Sequence, residues 1–412
     1  MGDQLCIRKD TMHEREASRV LDLTARVVAE TGPRLAGSAA CKRGAEMMAD
    51  EARGCCDRVE TESFPLHPGA FLGFIHVLVS LYALSVPLLA FLPWASAGLM
   101  SLGVAILVLE FFLYREPIDP FFPKVEGLNV VGILEPSGPV KRQVIVSGHH
   151  DSAFIFNFFV DRPELYSRRL FGGMGTFALL WLASFPVAAF ASPIVRIAAA
   201  ILFAAAFALV LPLWRFASKE GTPGAGDNLS SSATALELAR AFRSRRDAGK
   251  GLASTRIIFA SFDAEEAGLR GARAYAKAHR AELSATPTFA FNMDCVYEAD
   301  KLILLLSDIN GSVKLDAEAS ELVAELGAKA GIKVKPQPIA FLTGGTDAAE
   351  LAKAGVRATS LMGMDWSNSS RSAVYHTPRD RVDAIQPAAV QAALGLGMGF
   401  IEELDRGALD RP

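Results

Sequence analysis

Hydrophobic residues follow three patterns along this chain, and each predicts a different kind of element. In residues 15–30 the apolar positions Val20, Leu21, Leu23, Val27 and Val28 recur at helical spacing, and the segment ends in the Gly/Pro-punctuated turn of residues 31–38. A second amphipathic helix is predicted over 41–53, and a short strand over 59–64. Runs of strand length, rich in β-branched and apolar residues, then recur at 128–134, 143–148, 255–260, 288–293, 301–306, 334–339 and 357–361. Helical patterns separate the later ones, at about 231–242, 272–279, 315–330 and 387–404. Strands alternating with helices predict an α/β fold with a central mixed, largely parallel sheet flanked by helices. The runs 128–134 and 143–148, joined by a Pro/Gly turn, read as neighbouring strands.

The third pattern is different in kind. Two blocks, 69–114 and 170–217, are almost wholly apolar. The first divides into 71–92 and 95–114 around Pro93-Trp94, and the second into 170–190 and 193–216. A helix needs about 20 residues to cross the hydrocarbon core of a bilayer, and each half has that length. Pro87, Glu110, Pro186 and Arg196 are the interruptions. The blocks are therefore expected to be two inserted hydrophobic helical hairpins, 69–115 and 166–218, with four transmembrane helices in the lipid bilayer. The remainder, 1–68, 116–165 and 219–412, is expected to form a single discontinuous domain. Arg115, Lys124, Arg168, Arg169, Arg215 and Lys219 cluster at the outer ends of the hairpins, against Arg196 alone at the far side. That asymmetry places the discontinuous domain in the cytoplasm, as does the lack of an export signal in the first 68 or so residues. His76, within an apolar helix, reads as a packed or interfacial histidine rather than a ligand.

Composition adds little to this picture. The mean hydropathy of +0.26 is high, and the excess lies in the two blocks. A net charge of −3 gives no reason to expect a nucleic-acid partner. The cysteines, Cys6, Cys41, Cys55, Cys56 and Cys295, are odd in number and show no metal spacing, which suits a reducing compartment.

Candidate chemistry centres on residues 261–271, where Glu265 and Glu266 stand just past a predicted strand and glycines follow. Burying adjacent carboxylates needs a nearby positive charge or a proton shared between them, and a metal ion supplies the charge. His149, Asp227, Asp294 and His376 also stand at predicted strand ends or Gly-rich turns, which converge on one rim of a twisted sheet. Imidazoles and carboxylates in this number form a ligand inventory suited to two divalent ions of the zinc type.

With these residues in place the chain resembles the co-catalytic di-zinc exopeptidase family that includes bacterial leucine-type aminopeptidases, glutamate carboxypeptidase II and glutaminyl cyclases. The matching pieces are GPRLAGS (32–38), NVVG (129–132), GHHDS (148–152), PGAGDN (223–228), EEAGLRGA (265–272), NMD (292–294) and YHTPRD (375–380), in the family's order. The resemblance implies a zinc exopeptidase-like fold and two Zn2+ ions, with other divalent transition metals as alternatives. His149 and Asp294 would hold one ion, Glu266 and His376 the other, and Asp227 would bridge them. Glu265 would act as general base, and Asp151 would orient the metal-binding imidazole. His150 falls at a variable position and is expected not to be a ligand. A non-proline cis peptide is expected at Asp227-Asn228.

The implied function is a membrane-anchored metallopeptidase acting on peptide substrates, an aminopeptidase first, with a carboxypeptidase, dipeptidase or glutaminyl cyclase as alternatives. A catalytically inactive membrane scaffold is the reading from a different class. The chain departs from the family's pattern at Gly226, where an acidic residue is frequent, and at residues 346–348, which lack a histidine many relatives carry. Asp347 either shapes the pocket or caps the helix that follows, and Cys295 reads as a buried structural thiol.

Overall fold

The computed structural model describes residues 2–365 and 373–410, with side chains from His13 onward, so the Cys6 side chain lies outside them. The chain divides into two compact units, Met1–Leu66 with Val125–Ala153 and Glu220–Pro412, and His67–Lys124 with Phe154–Lys219.

The first unit is built on a nine-stranded mixed sheet. Its strands are β1 (Arg58–Leu66), β2 (Val125–Leu134), β3 (Arg142–His149), β4 (Thr255–Phe262), β5 (Thr288–Val296), β6 (Leu302–Asp308), β7 (Val313–Lys314), β8 (Lys335–Pro338) and β9 (Arg357–Gly363). In space they run β1-β2-β4-β3-β5-β9-β6-β8, with β7 on β6. The four central strands β4, β3, β5 and β9 are mutually parallel, and antiparallel pairs lie on either side of them. The predicted α/β class, with helices on the sheet and four apolar helices besides, is borne out.

One expectation is corrected. Strands β2 and β3 are not neighbours, because β4 lies between them, antiparallel to β2 and parallel to β3. All eight residues of β3 are buried. A strand buried on both faces belongs in the middle of a parallel array, with partners on both edges, and β4 and β5 supply them.

Parallel strands end on one rim. His149 stands opposite Phe262, the last residue of β4, and Asp294 opposite Met362 near the end of β9. Beneath this rim the core is aromatic and aliphatic, with Phe242, Phe259, Phe262, Phe289, Phe291 and Phe400 at 2% exposure or less. Each such side chain contributes about 1.5–3 kcal/mol on burial. The helices Gly2–Thr31, Ser230–Asp247 and Pro387–Asp405 pack on one another over this core. The helix Ala39–Arg53 starts at Ser38, whose side chain accepts a hydrogen bond from the Cys41 amide.

The second unit consists mainly of the helices Pro68–Phe91, Pro93–Leu107, Tyr166–Phe190 and Pro193–Val210. Four helical spans here are long and apolar enough to cross a membrane. Phe91, Trp94, Phe190, Ile194, Ile201 and Leu202 are among the many large apolar side chains it exposes. Polar groups turn inward instead. The Tyr82 hydroxyl donates to the Phe203 carbonyl at 3.0 Å, and the Trp181 indole to Ser101 Oγ at 3.1 Å. His76, by contrast, is exposed and packs on Trp214, with Nε2 3.0 Å from its carbonyl oxygen.

Candidate metal centre

The rim of the central sheet gathers the candidate side chains. β3 delivers His149, and Asp151 follows two residues later. Beyond β4 the chain turns through Ala264, in the left-handed region at φ 62°, into Glu265 and Glu266. The helix Arg270–Ala278 starts hard against this turn. A Cβ on Gly271 would lie 2.0 Å from the Asp263 carbonyl oxygen, so only glycine fits there. Cys295, after Asp294, and His376 are also left-handed, at φ 52° and 51°. A non-glycine residue in this region costs about 1–3 kcal/mol, and such strain concentrates at functional sites.

Asp227 comes from the loop before the helix Ser230–Asp247, and the Asp227-Asn228 peptide is cis. The Asn228 side chain ties this loop to β5, donating to the Met293 carbonyl at 2.9 Å and accepting from the Cys295 amide at 3.2 Å. Asp380 holds the loop from the other side. Its carboxylate accepts from the amides of Gly226 (2.8 Å) and Asp227 (3.4 Å) and from the Tyr297 hydroxyl (2.9 Å). The Tyr297 ring also explains Gly226, where a Cβ would lie 2.0 Å from Tyr297 Cε1.

Sequence reasoning missed one organiser, Arg34, which sits within a recognised motif but was given no task. Its guanidinium is fully buried and donates to the carbonyl oxygens of His150 (2.8 Å), Gly32 (3.0 Å) and Pro223 (3.0 Å). It thereby joins the loop after β3 to the loop that carries Asp227. The only signal available was an arginine inside a Gly/Pro turn, a residue type rarely buried without partners.

The structure brings all five proposed ligands together. Ligand atoms of His149, Asp227 and Asp294 lie within 4.8 Å of one another, and so do those of Asp227, Glu266 and His376. Asp227 is common to both groups. Its Oδ1 is 3.5 Å from His149 Nε2, and its Oδ2 is 3.2 Å from His376 Nε2. Glu266 Oε1 is 3.3 Å from His376 Nε2. Glu265 lies beside the first group, 3.6 Å from His149 Nε2, and forms a further group with His149 and Glu266. Asp151 stays outside these groups. It stands 3.2 Å from His149 Nδ1 and accepts the amides of Glu265 (3.1 Å) and Glu266 (3.2 Å).

Burial works against charge on Glu265, Glu266, Asp294, Asp227 and the two imidazoles, and it sets the direction for the first three. Burial raises Glu265 well above its ordinary value and Asp294 to about 7, reinforced by the other carboxylates. Glu266 is raised as well, by burial first. Burial pulls on His149 and His376 in the opposite direction. Glu265 and Asp151 nevertheless hold His149 well above its ordinary value, and Glu266 and Asp227 lift His376 to about 10. Asp227 alone is drawn below the carboxylate range, by the two imidazoles and against its burial.

Two imidazoles do not balance this many buried acids. His149 Nε2, Asp227 Oδ2 and Glu266 Oε1 are buried and make no hydrogen bond despite their close approaches. Bare nitrogen and oxygen donors facing one another, in a pocket with excess negative charge, fit divalent ions of the zinc type.

Two other candidates resolve differently. Asp347 occupies the N-cap position of the helix Ala348–Lys353, but its side chain makes no capping bond. Both its carboxylate oxygens are buried without a hydrogen bond, and burial raises it well above its ordinary value. His150 turns away from the His149 groups and meets Cys41 and Asp263 instead.

Comparison with known proteins agrees with this fold. Residues 215–397 match the family model of Peptidase family M28. The structure is similar to a zinc aminopeptidase from Bacillus subtilis at 16% identity and a TM-score of 0.56, covering 94% of this chain and 95% of that one. It is also similar to a Zn-dependent exopeptidase from Parabacteroides distasonis (14% identity, TM-score 0.55, 94% and 97% covered). A glutaminyl cyclase from Fimbriiglobus ruber gives 13% identity and a TM-score of 0.53, with 94% of both chains covered. No curated protein matches the chain by sequence. The resemblance read from the ordered motifs is borne out, and at these identities the solved structures share the fold.

Proposed function

We propose that the chain is a membrane-anchored, zinc-dependent exopeptidase with a two-metal centre, releasing residues from the amino terminus of peptides. The observation that carries this reading is the pair of ligand groups that share Asp227, with Glu265 beside them, 3.6 Å from His149 Nε2. His149 and Asp294 would hold one ion, Glu266 and His376 the second, and Asp227 both. Bound there, divalent ions supply Lewis acidity toward a carbonyl oxygen and toward water.

The protein's own part is proton handling and orientation. Glu265, whose carboxyl burial raises above its ordinary value, would take a proton from attacking water and pass it to the leaving amine. Asp151 fixes both partners of that step, because one carboxylate contacts the His149 ring and receives the Glu265 amide. The four apolar spans of the second unit supply the anchor. The test is to offer the detergent-purified chain peptides with free or blocked termini. Cleavage that needs a free amino terminus supports the aminopeptidase reading. Cleavage that needs a free carboxyl terminus replaces it with a carboxypeptidase, and release of a cyclised amino terminus with a cyclase.

A further inference from the structure

A second meeting of ligand-type side chains lies apart from the centre, where the helix Ala39–Arg53 meets the ends of β3 and β4. Cys41 Sγ, a ring nitrogen of His150 and a carboxylate oxygen of Asp263 lie within 4.8 Å of one another, and all three residues are fully buried. Each is delivered by an element end. The Ser38 cap places Cys41 in the first turn of its helix, His150 follows the last residue of β3, and Asp263 follows the last of β4. Successive residues of an extended segment face opposite ways, so His149 and His150 serve different clusters.

The state of the imidazole separates this cluster from ordinary packing. His150 Nδ1 is engaged with Ser261 Oγ at 2.9 Å, which fixes the ring, while Nε2 is buried with no hydrogen bond at all. One nitrogen held by a neighbour and the other bare is the arrangement of a metal-binding histidine. The carboxylate is fixed as well. Asp263 accepts from the Gly37 amide at 3.2 Å and the Leu128 amide at 3.0 Å, and the Cys41 thiol donates to it at 3.2 Å.

Bonds of about 2.0–2.3 Å put the ligand atoms of a tetrahedral zinc ion roughly 3.3–3.7 Å apart. The thiol and carboxylate, 3.2 Å apart, are just short of that spacing, and the imidazole nitrogen lies within 4.8 Å of both. One thiolate, one carboxylate and one neutral imidazole carry two negative charges, so a divalent ion leaves the cluster neutral once the thiol proton has gone to solvent. The buried Arg34 guanidinium also interacts electrostatically with Cys41, as well as with Asp380 and Asp151, and so favours the thiolate form there.

We propose that Cys41, His150 and Asp263 form a separate, thiolate-containing site for a divalent ion of the zinc type, pinning the helix Ala39–Arg53 to the ends of β3 and β4. Three protein ligands leave the fourth position to water or an anion. The site is independent of the proposed peptidase centre, whose five ligands contain no sulfur.

That difference makes the test selective. The full chain, purified in detergent, is loaded with zinc for ion counting and with cobalt(II) for spectroscopy. The expected result is one ion per chain beyond those of the sulfur-free centre, together with a near-ultraviolet thiolate-to-cobalt charge-transfer band. Cys41→Ser should abolish that band and lower the count by one, and His150→Gln should weaken affinity for the same ion at least tenfold. Circular dichroism checks that each variant is folded. If Asp227→Ala empties the peptidase centre, the band should survive. No thiolate band in the wild type, or a count unchanged in both folded variants, overturns the proposal. Failure of the peptidase reading with the band intact leaves it standing.

Discussion

The Asp151 carboxylate lies 3.2 Å from Nδ1 of His149 and, through the same oxygen, accepts the Glu265 backbone amide at 3.1 Å. Its second oxygen accepts the Glu266 amide at 3.2 Å. One buried residue thus sets the ring that would hold a metal and the backbone of the two glutamates. Asparagine cannot do this, because its NH2 would face an amide donor. Asp151→Asn should lower metal affinity or kcat by about 10–100-fold, the usual scale for a residue supporting a metal ligand. Metal titration and kinetics on the folded variant check this, and wild-type values in both would remove Asp151 from the assembly.

Glu265 is the proposed proton carrier. Glu265→Gln keeps its shape and removes its basicity, so kcat should fall by about two to four orders of magnitude. Bound metal should be unchanged. Loss of metal in this variant would instead show that Glu265 is a ligand.

At Gly226 the expected effect is on stability. A methyl group there would lie 2.0 Å from the Tyr297 ring, which is 1% exposed and hydrogen-bonded to Asp380. Gly226→Ala should destabilise the chain by about 1–3 kcal/mol, the range for overpacking a filled core. Adding Tyr297→Leu should recover part of the loss. Equal loss in the single and double variants, measured by denaturant unfolding, would place the strain elsewhere.

Orientation in the membrane is testable with thiol labelling. Cys55 and Cys56 are buried, at 1% and 7% exposure, and so make poor reporters. Asp50, 67% exposed on the helix Ala39–Arg53 that precedes them, is a better position. In a Cys6→Ser background, Asp50→Cys should resist a membrane-impermeant reagent in intact cells and react after permeabilisation. Reaction in intact cells would place this unit outside the cytoplasm.

Much of the fold and of the candidate centre was legible because local signals coincide with chemistry. His149 closes β3, Asp294 lies two residues before the end of β5, Glu266 lies in the turn after β4 and Asp227 in the loop before a helix, so position in a motif also gave position on the rim. The order of β2, β4 and β3 was not legible, since each run looks alike and the choice of partner depends on burial of the whole sheet. The Arg34 clamp spans 116 residues to His150 and 189 to Pro223, and no local pattern encodes such reach. Cys41, His150 and Asp263 lack any metal-binding spacing for the same reason. Their ligand atoms meet only because three element ends converge.

The central claim is that Asp227 serves two ions at once. Its most direct test is metal content by elemental analysis in a Cys41→Ser background, which leaves only the sulfur-free centre to be counted. The parent should hold two zinc-class ions per chain. Asp227→Ala, folded by circular dichroism, should lose most of both, because both ligand groups pass through that carboxylate. Full occupancy by two ions in the alanine variant would contradict the account.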